Sequence, residues 1–212
     1  MHIIIVRKDL DEFQHIHPSF NETSGVFTFT DLVFPSDGRY RIFADFTPLN
    51  SQKGPDNKPL GVTIYEDVLA GNEAEYTPQS IGDEIQDKSF GEYAVKMIVT
   101  PKTIASGVEI KLSFSIQKDK VAVKDLESYL GALGHTVVLR ENDLEFIHTH
   151  ALDETSKNQT GVVDFAVTFS KEGRYKIFSQ FQHQGKIITT DYVVYVTQNN
   201  PNTKGNNQQK IH

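Results

Sequence analysis

Hydrophobic residues along this chain come in short runs in which apolar and polar positions alternate, as in β-strands. Runs rich in Val, Ile, Phe, Tyr and Thr are separated by Gly, Asp, Asn or Pro, which favour turns. One segment, Asp125 to Leu130, is predicted to be a short helical turn. The chain is therefore predicted to be all-β, built from antiparallel β-sandwiches of the immunoglobulin-like kind. The predicted strands are Ile3–Val6, Phe13–His17, Gly25–Thr30, Gly38–Phe46, Gly61–Glu66, Tyr93–Val99, Val108–Ile116, Thr136–Arg140, Glu145–His150, Val162–Phe169, Gly173–Gln182 and Ile187–Thr197.

Two parts of the chain repeat one another. Residues 2–18 read HIIIVRKDLDEFQHIHP and residues 135–151 read HTVVLRENDLEFIHTHA, and without gaps they share His, Arg, Glu, Phe, His and His. Downstream, DGRYRIFADF at 37–46 matches EGRYKIFSQF at 172–181. This self-similarity predicts an internal duplication into two sandwich domains.

The two predicted domains are unequal. We expect a first repeat at 1–68, an acidic linker at 69–90, a second repeat at 91–198 and a disordered tail at 199–212. Two predicted strands precede the second repeat's first histidine, whereas none precedes His2, so the first domain is predicted to lack its leading strands. Exposed strand edges invite pairing, which makes a dimer through the first repeat possible.

Each repeat carries the spacing His-x12-His-x-His, and six of the eight histidines fall in this register. Two histidines separated by one residue on a strand point to the same face. If a four-residue loop joins the strands, Arg7 pairs with Glu12 and His2 with His17, so that all three imidazoles share a face. A three-residue loop would place His2 on the opposite face. The predicted ligand sets are His2, His15 and His17, and His135, His148 and His150.

Three imidazoles on one hairpin suit Zn(II), Cu(II) or Ni(II) and leave a coordination position for water, a carboxylate or a partner's side chain. Bound metal requires neutral imidazole, so affinity is expected to fall with pH through about 6.5. The alternative interpretation is structural, with the imidazoles hydrogen-bonded to backbone carbonyls. Retention of the whole pattern in two otherwise diverged repeats favours metal binding.

Other positions are interpreted as structural. Asp45 and Gln180 occupy matching positions and are possible fourth ligands or outer-sphere acceptors, although a solvated strand position is the preferred interpretation. His183 has no counterpart in the first repeat and is predicted on a surface hairpin. Tyr40 and Tyr175 resemble the tyrosine corner of sandwiches.

Composition excludes several classes of function. A formal net charge of -7 argues against nucleic-acid binding, and the absence of cysteine excludes thiolate metal sites and disulfides. Apolar runs are far shorter than the roughly 20 residues of a membrane-spanning helix. Nucleophile and nucleotide-binding motifs are absent from the sequence, so we expect a protein that is not an enzyme.

The repeats quoted above, together with DLESYLGALG before the second one and QHQGKIITTDYVVYV after it, resemble bacterial YtkA-like or FixH-like secreted domains. The resemblance covers most of the chain. It implies an immunoglobulin-like sandwich, a periplasmic or secreted location, and an association with the handling of copper or other heavy metals. It carries the family's histidine motif onto both triads, with the second in the more complete domain. The N-terminus MHIIIVRKD has no signal peptide, so the resemblance also implies a native start upstream.

Three functions follow as hypotheses. The first is a metal-binding protein that delivers copper or zinc to a transporter or another metalloprotein. The second is an immunoglobulin-like interaction or adhesion module with structural histidines. The third is a metalloenzyme that activates water at an open three-histidine site.

Overall fold

The computed structural model describes residues 1–30, 32–54, 57, 59–85, 87–152 and 160–199. The chain divides into two compact units, Met1–Ile81 and Gly82–His212. The described residues form fifteen strands and a single three-residue 3-10 helix, Glu73–Glu75, which confirms the predicted all-β class. No helix among these residues has the length and apolarity needed to cross a membrane.

The first unit is built on one antiparallel four-stranded sheet with the order β2-β1-β5-β6. One face carries Ile3, Ile5 and Tyr40, which are buried against partly buried apolar side chains such as Phe29 and Phe34. A separate two-stranded ribbon pairs β3 with β4. The strands are β1 (His2–Arg7), β2 (Phe13–Ile16), β3 (Ser19–Asn21), β4 (Val26–Thr28), β5 (Gly38–Phe46) and β6 (Val62–Ala70).

The second unit contains two antiparallel sheets. One has the order β10-β9-β8-β7, with β13 also pairing β9, and the other has the order β12-β11-β14-β15. The division of β8, β9 and β13 from β11, β12, β14 and β15 is the strand arrangement of immunoglobulin-like sandwiches. The strands are β7 (Asp87–Phe90), β8 (Tyr93–Thr100), β9 (Glu109–Lys118), β10 (Val121–Ala122), β11 (His135–Arg140), β12 (Phe146–His150), β13 (Val162–Thr168), β14 (Gly173–His183) and β15 (Lys186–Val196).

The core of the second unit lies between its two sheets. Strand β8 alternates strictly between buried and exposed residues, as a strand with one face on a core should. Phe114 from one sheet contacts Phe181 and Tyr192 from the other, with ring centroids 5.5 and 5.8 Å apart. Within the described residues, the first unit has no sheet equivalent to the one that holds β8 and β9, in line with the predicted lack of leading strands.

Each unit contains a four-stranded sheet with the same strand order. Strand order β2-β1-β5-β6 in the first corresponds to β12-β11-β14-β15 in the second, and all neighbours are antiparallel. The edge hairpins have the same register, because Arg7 N–H donates to Glu12 O and Arg140 N–H donates to Glu145 O. Both loops therefore hold four residues, the length on which the predicted convergence of the histidines depends. A duplication as the origin of this likeness stays a prediction.

Both predicted tyrosine corners are confirmed. The Tyr40 hydroxyl donates to the carbonyl of Ser36 at 2.9 Å, and the Tyr175 hydroxyl donates to the carbonyl of Lys171 at 2.9 Å. Both phenol rings are fully buried. Each hydrogen bond fixes the chain where it enters a central strand, β5 in the first unit and β14 in the second.

The predicted helical turn at Asp125–Leu130 is wrong. This segment is extended and is held by bridges between Glu127 and Gln182 and between Tyr129 and Ala132. Because backbone groups of the segment pair with β14 and with its own turn, a helix would leave those bonds unmade.

The predicted domain boundaries stay predictions. Strand β6 continues to Ala70, and the predicted linker 69–90 contains the 3-10 helix and β7. The predicted disordered tail 199–212 lies outside the described residues, except for Asn199.

Candidate metal centre

The first histidine triad is assembled by the hairpin of β1 and β2. Ile4 on β1 lies opposite His15 on β2. The same register places His2, two residues before Ile4, opposite His17. All three histidines consequently lie on one face of the sheet. The four-residue loop decides this outcome, since a register shift of one residue would move a strand's side chains to the opposite face.

The three imidazoles converge on one point. His2 Nδ1 lies 2.9 Å from His15 Nε2 and 2.7 Å from His17 Nε2. The potential ligand atoms of the triad all lie within 4.8 Å of one another. Tetrahedral coordination with bonds of 2.0–2.1 Å requires nitrogen atoms about 3.3 Å apart. Small side-chain rotations would therefore bring the triad to coordination distances.

The chemistry of this donor set fits a borderline divalent ion. Neutral imidazole nitrogens are preferred ligands of Zn(II) and Cu(II), and three of them leave room for one further ligand. Of the three histidines only His15 is buried. The site therefore lies at the surface of the hairpin rather than deep in a core. Such a site can accept an ion without unfolding.

A carboxylate lies beside the triad. Asp45 on β5 is the residue opposite His2, and its Oδ1 accepts a 2.8 Å hydrogen bond from the hydroxyl of Thr63 on β6. Asp45 is half-buried, and its role as a fourth ligand or outer-sphere acceptor stays a prediction. As the cross-strand neighbour of His2, Asp45 shares the face of the sheet that carries the triad.

Charged side chains brace the far end of the same face. Asp67 accepts hydrogen bonds from Arg41 at 2.7 Å and Lys8 at 2.6 Å. Its hydrogen bond with Arg41, together with that from Lys8, holds the pKa of Asp67 well below its usual range. The guanidinium of Arg41 also lies 3.9 Å from the centre of the Tyr65 ring. These contacts tie β5 and β6 to each other and to the loop that follows β1.

The second triad has the same backbone register. His135 is paired with His150, and His148 lies opposite Val137. The side chains of His148 and His150 lie outside the described part of the structure. The structure therefore locates the predicted second site only through its backbone and the side chain of His135.

His135 is buried, and its ring is oriented by backbone. Nε2 lies 2.9 Å from the carbonyl oxygen of Tyr129. A carbonyl can only accept a hydrogen bond, so Nε2 must carry the proton, and in the neutral ring Nδ1 carries the lone pair. Nδ1 is also the atom that His2 directs at its triad.

Gln180 matches Asp45 by position but differs in environment. It is buried, and its amide donates to the Thr189 hydroxyl at 3.0 Å, where Asp45 accepts from Thr63. The prediction of a solvated strand position is wrong for Gln180.

The prediction of a surface role for His183 is wrong. The residue is buried, with Nδ1 2.9 Å from the Tyr93 hydroxyl and Nε2 3.2 Å from Asp125 Oδ1. Strand alternation contains the missed signal, because position 183 shares the inward parity of Ile177 and Phe181 on β14.

An all-β sandwich protein with a convergent histidine hairpin is the class that these observations define. The chain belongs to the family described as a domain of unknown function, DUF8832, whose model matches residues 1–53 and 88–198. Both matched ranges contain a complete histidine triad.

Comparison with curated proteins finds no match. Among solved structures, the soluble domain of PmoD from Methylocystis sp. ATCC 49242 (Rockwell) has a TM-score of 0.36 at 15% identity, over 51% of this chain and 94% of that domain. A likeness of this size carries no argument about fold or function. None of these matches supports the resemblance to YtkA-like or FixH-like domains.

Proposed function

We propose that this protein binds copper or zinc through a three-histidine site in each unit and that it serves metal handling or delivery outside the cytoplasm. The convergence of His2 Nδ1, His15 Nε2 and His17 Nε2 carries the proposal. A purely structural role for these histidines gives no reason for three basic nitrogens to face one another on a strand pair. Coordination of a cation explains it directly.

The geometry favours binding and release over permanent retention. The ligands come from one short hairpin, and the fourth position is left for water, a carboxylate or a partner's side chain. A transporter or another metalloprotein with stronger ligands would take the ion from such a site by ligand exchange. We propose a binding role, rather than catalysis, on this basis.

Equilibrium dialysis with Zn(II) and with Cu(II) tests the proposal. The wild-type chain should bind up to two ions, and the double variant His15→Ala/His17→Ala should lose about one equivalent. Gln14→Ala is the matched control, because Gln14 lies between the strand's Phe13 and His15 and donates to the Val33 carbonyl on the opposite face. Binding at background level in the wild type would refute the proposal.

A second candidate function is an interaction module that pairs with another copy through β6. This strand ends its sheet, and its side chains Ile64, Tyr65 and Leu69 are 57%, 58% and 51% exposed. An edge strand that exposes apolar side chains offers its unpaired backbone groups to another chain. Sedimentation equilibrium should show a concentration-dependent dimer that Ile64→Lys abolishes, whereas a monomer at all concentrations would exclude this role.

A further inference from the structure

The segment that leads into β11 forms a strap against the end of β14. We use the name strap for residues 123–134. Glu127 N–H donates to the Gln182 carbonyl at 2.8 Å, and the Glu127 carboxylate accepts from Gly185 N–H at 3.0 Å. Asp125 adds its contact with the buried His183, whose other nitrogen meets the Tyr93 hydroxyl. The strap is therefore fastened at several points on β14 and its turn.

The strap ends in a tight turn just before the first histidine of the second triad. Tyr129 and Ala132 exchange backbone hydrogen bonds of 2.8 and 3.1 Å, and the two residues between them, Leu130 and Gly131, have φ of 52° and 89°. Positive φ at both central residues is the mark of a type I′ turn. This turn fixes the direction of the Tyr129 carbonyl.

The Tyr129 carbonyl then fixes the imidazole of His135. The carbonyl accepts from Nε2, and the Tyr129 ring meets the imidazole edge-on at a centroid distance of 6.0 Å. Metal-binding histidines commonly donate their second nitrogen to a carbonyl or carboxylate, which sets the tautomer and raises the basicity of the ligating nitrogen. The strap supplies that partner from backbone.

We propose that the strap is the positioning element of the second metal site, and that it presets His135 to bind Zn(II) or Cu(II) through Nδ1. This inference rests on the proposed function. It adds that Tyr129, through its carbonyl, selects the ligating atom before metal arrives. The buried His183 takes part through Asp125 as an anchor of the strap and not as a ligand.

The test uses the full chain with His15→Ala/His17→Ala, which leaves the second site to be measured. Gly131→Val disturbs the turn, because a β-branched residue at positive φ is strongly disfavoured. Gly91→Val is the matched control: Gly91 also has positive φ (60°), and a Cβ at either position would meet no atom within 4 Å. Both substitutions strain a surface turn, but only one lies in the strap.

Zinc titrations should show Gly131→Val weakening the remaining site by about 10- to 100-fold, the usual effect of losing a partner of a ligating histidine. Gly91→Val should leave the affinity within about twofold while lowering the melting temperature similarly. An equal effect of the two variants would overturn the inference.

Long-range proton–nitrogen NMR on the same background gives a readout that needs no strap variant. Before zinc is added, His135, assigned with His135→Gln, should be the Nε2–H tautomer, and zinc should then shift its Nδ1 signal. A neutral Nδ1–H tautomer, or zinc on Nε2, would refute the strap's role while leaving metal binding intact. Absence of any zinc equivalent in this background would instead defeat the proposed function of the second unit, and the inference with it.

Discussion

His2 Nδ1 and His15 Nε2 lie 2.9 Å apart although thirteen positions separate the residues along the chain. Only the fold of the hairpin brings them together. The four-residue loop gives β1 and β2 a register in which alternate residues of both strands share a face. The contact thus links turn length directly to the chemistry of the candidate site.

Metal affinity of the first site should fall with acidity. Each imidazole must be neutral to bind, and ordinary histidine has a pKa near 6.5, so protons compete with metal below that value. We expect the apparent zinc affinity to drop by at least about tenfold between pH 7.5 and pH 5.5. Isothermal titration at the two pH values measures this, and a pH-independent affinity would point to ligands other than histidine.

Arg7 should stabilise its hairpin more than Arg140 stabilises the equivalent one. The Arg7 side chain is 7% exposed and meets Asp9, itself 4% exposed, at 2.9 Å. Arg140, the counterpart of Arg7, pairs instead with Asp143, whose side chain is 45% exposed. Removing one member of a buried pair leaves an uncompensated charge and costs about 3 kcal/mol, whereas an exposed pair contributes about 1 kcal/mol or less.

Calorimetric melting of Arg7→Met and Arg140→Met therefore forms a matched comparison. Arg7→Met should lower the transition of the first unit markedly, and Arg140→Met should lower that of the second only slightly. Equal shifts would contradict the difference in burial.

Much of the hairpin could be predicted from sequence. Alternation located β1, β2, β11 and β12, and side-chain parity predicted that His2 and His17 share a face if the loop holds four residues, as it does. Local rules suffice there, because turn length and side-chain parity are properties of neighbouring residues. The tyrosine corners at Tyr40 and Tyr175 belong to the same kind of local signal.

The strap and its contacts could not be predicted in that way. Local composition around Asp125–Leu130 favours a helical turn, yet the segment is extended because its backbone pairs with β14. The partner Gln182 lies far along the chain, so no local pattern reveals it. Strand alternation on β14 could have predicted the burial of His183, but not its partners Tyr93 and Asp125, which come from distant segments.

Acid should destabilise the first unit. Burial alone would raise the pKa of Asp9, but hydrogen bonds from Arg7 and from the N–H groups of Gln79 and Asp11 outweigh it and lower the pKa. The pKa of Asp67 is also lowered, by Arg41 and Lys8. A carboxylate with a folded pKa below its unfolded value of about 3.9 stabilises the protein above that pH.

The stabilisation should therefore be complete at pH 5 and should be lost as the pH falls through about 4 toward the lower folded values. Urea melts at pH 5 and pH 3 should show this loss, and Asp9→Asn should reduce it. Glu22→Gln, at an exposed position in the turn between β3 and β4, is the control and should keep the full dependence. A variant Asp9→Asn with the same pH dependence as the wild type would show that Asp9 has no part in it.

A side chain at Gly134 should destabilise the second unit, because the chain passes close to the aromatic core just before His135. A Cβ there would lie 2.9 Å from the Phe181 ring and 3.1 Å from the Phe165 ring. Both rings are fully buried, so neither can move into solvent. Overpacking a filled core costs about 1–3 kcal/mol. Gly134→Ala should lower the melting temperature of the second unit accordingly.

Gly61→Ala is the control, since a Cβ at Gly61 meets its nearest atom, the Phe46 carbonyl oxygen, at an ordinary 3.8 Å. If Gly134→Ala proved as stable as Gly61→Ala, the ring packing beside the second triad would have to be looser than these distances require.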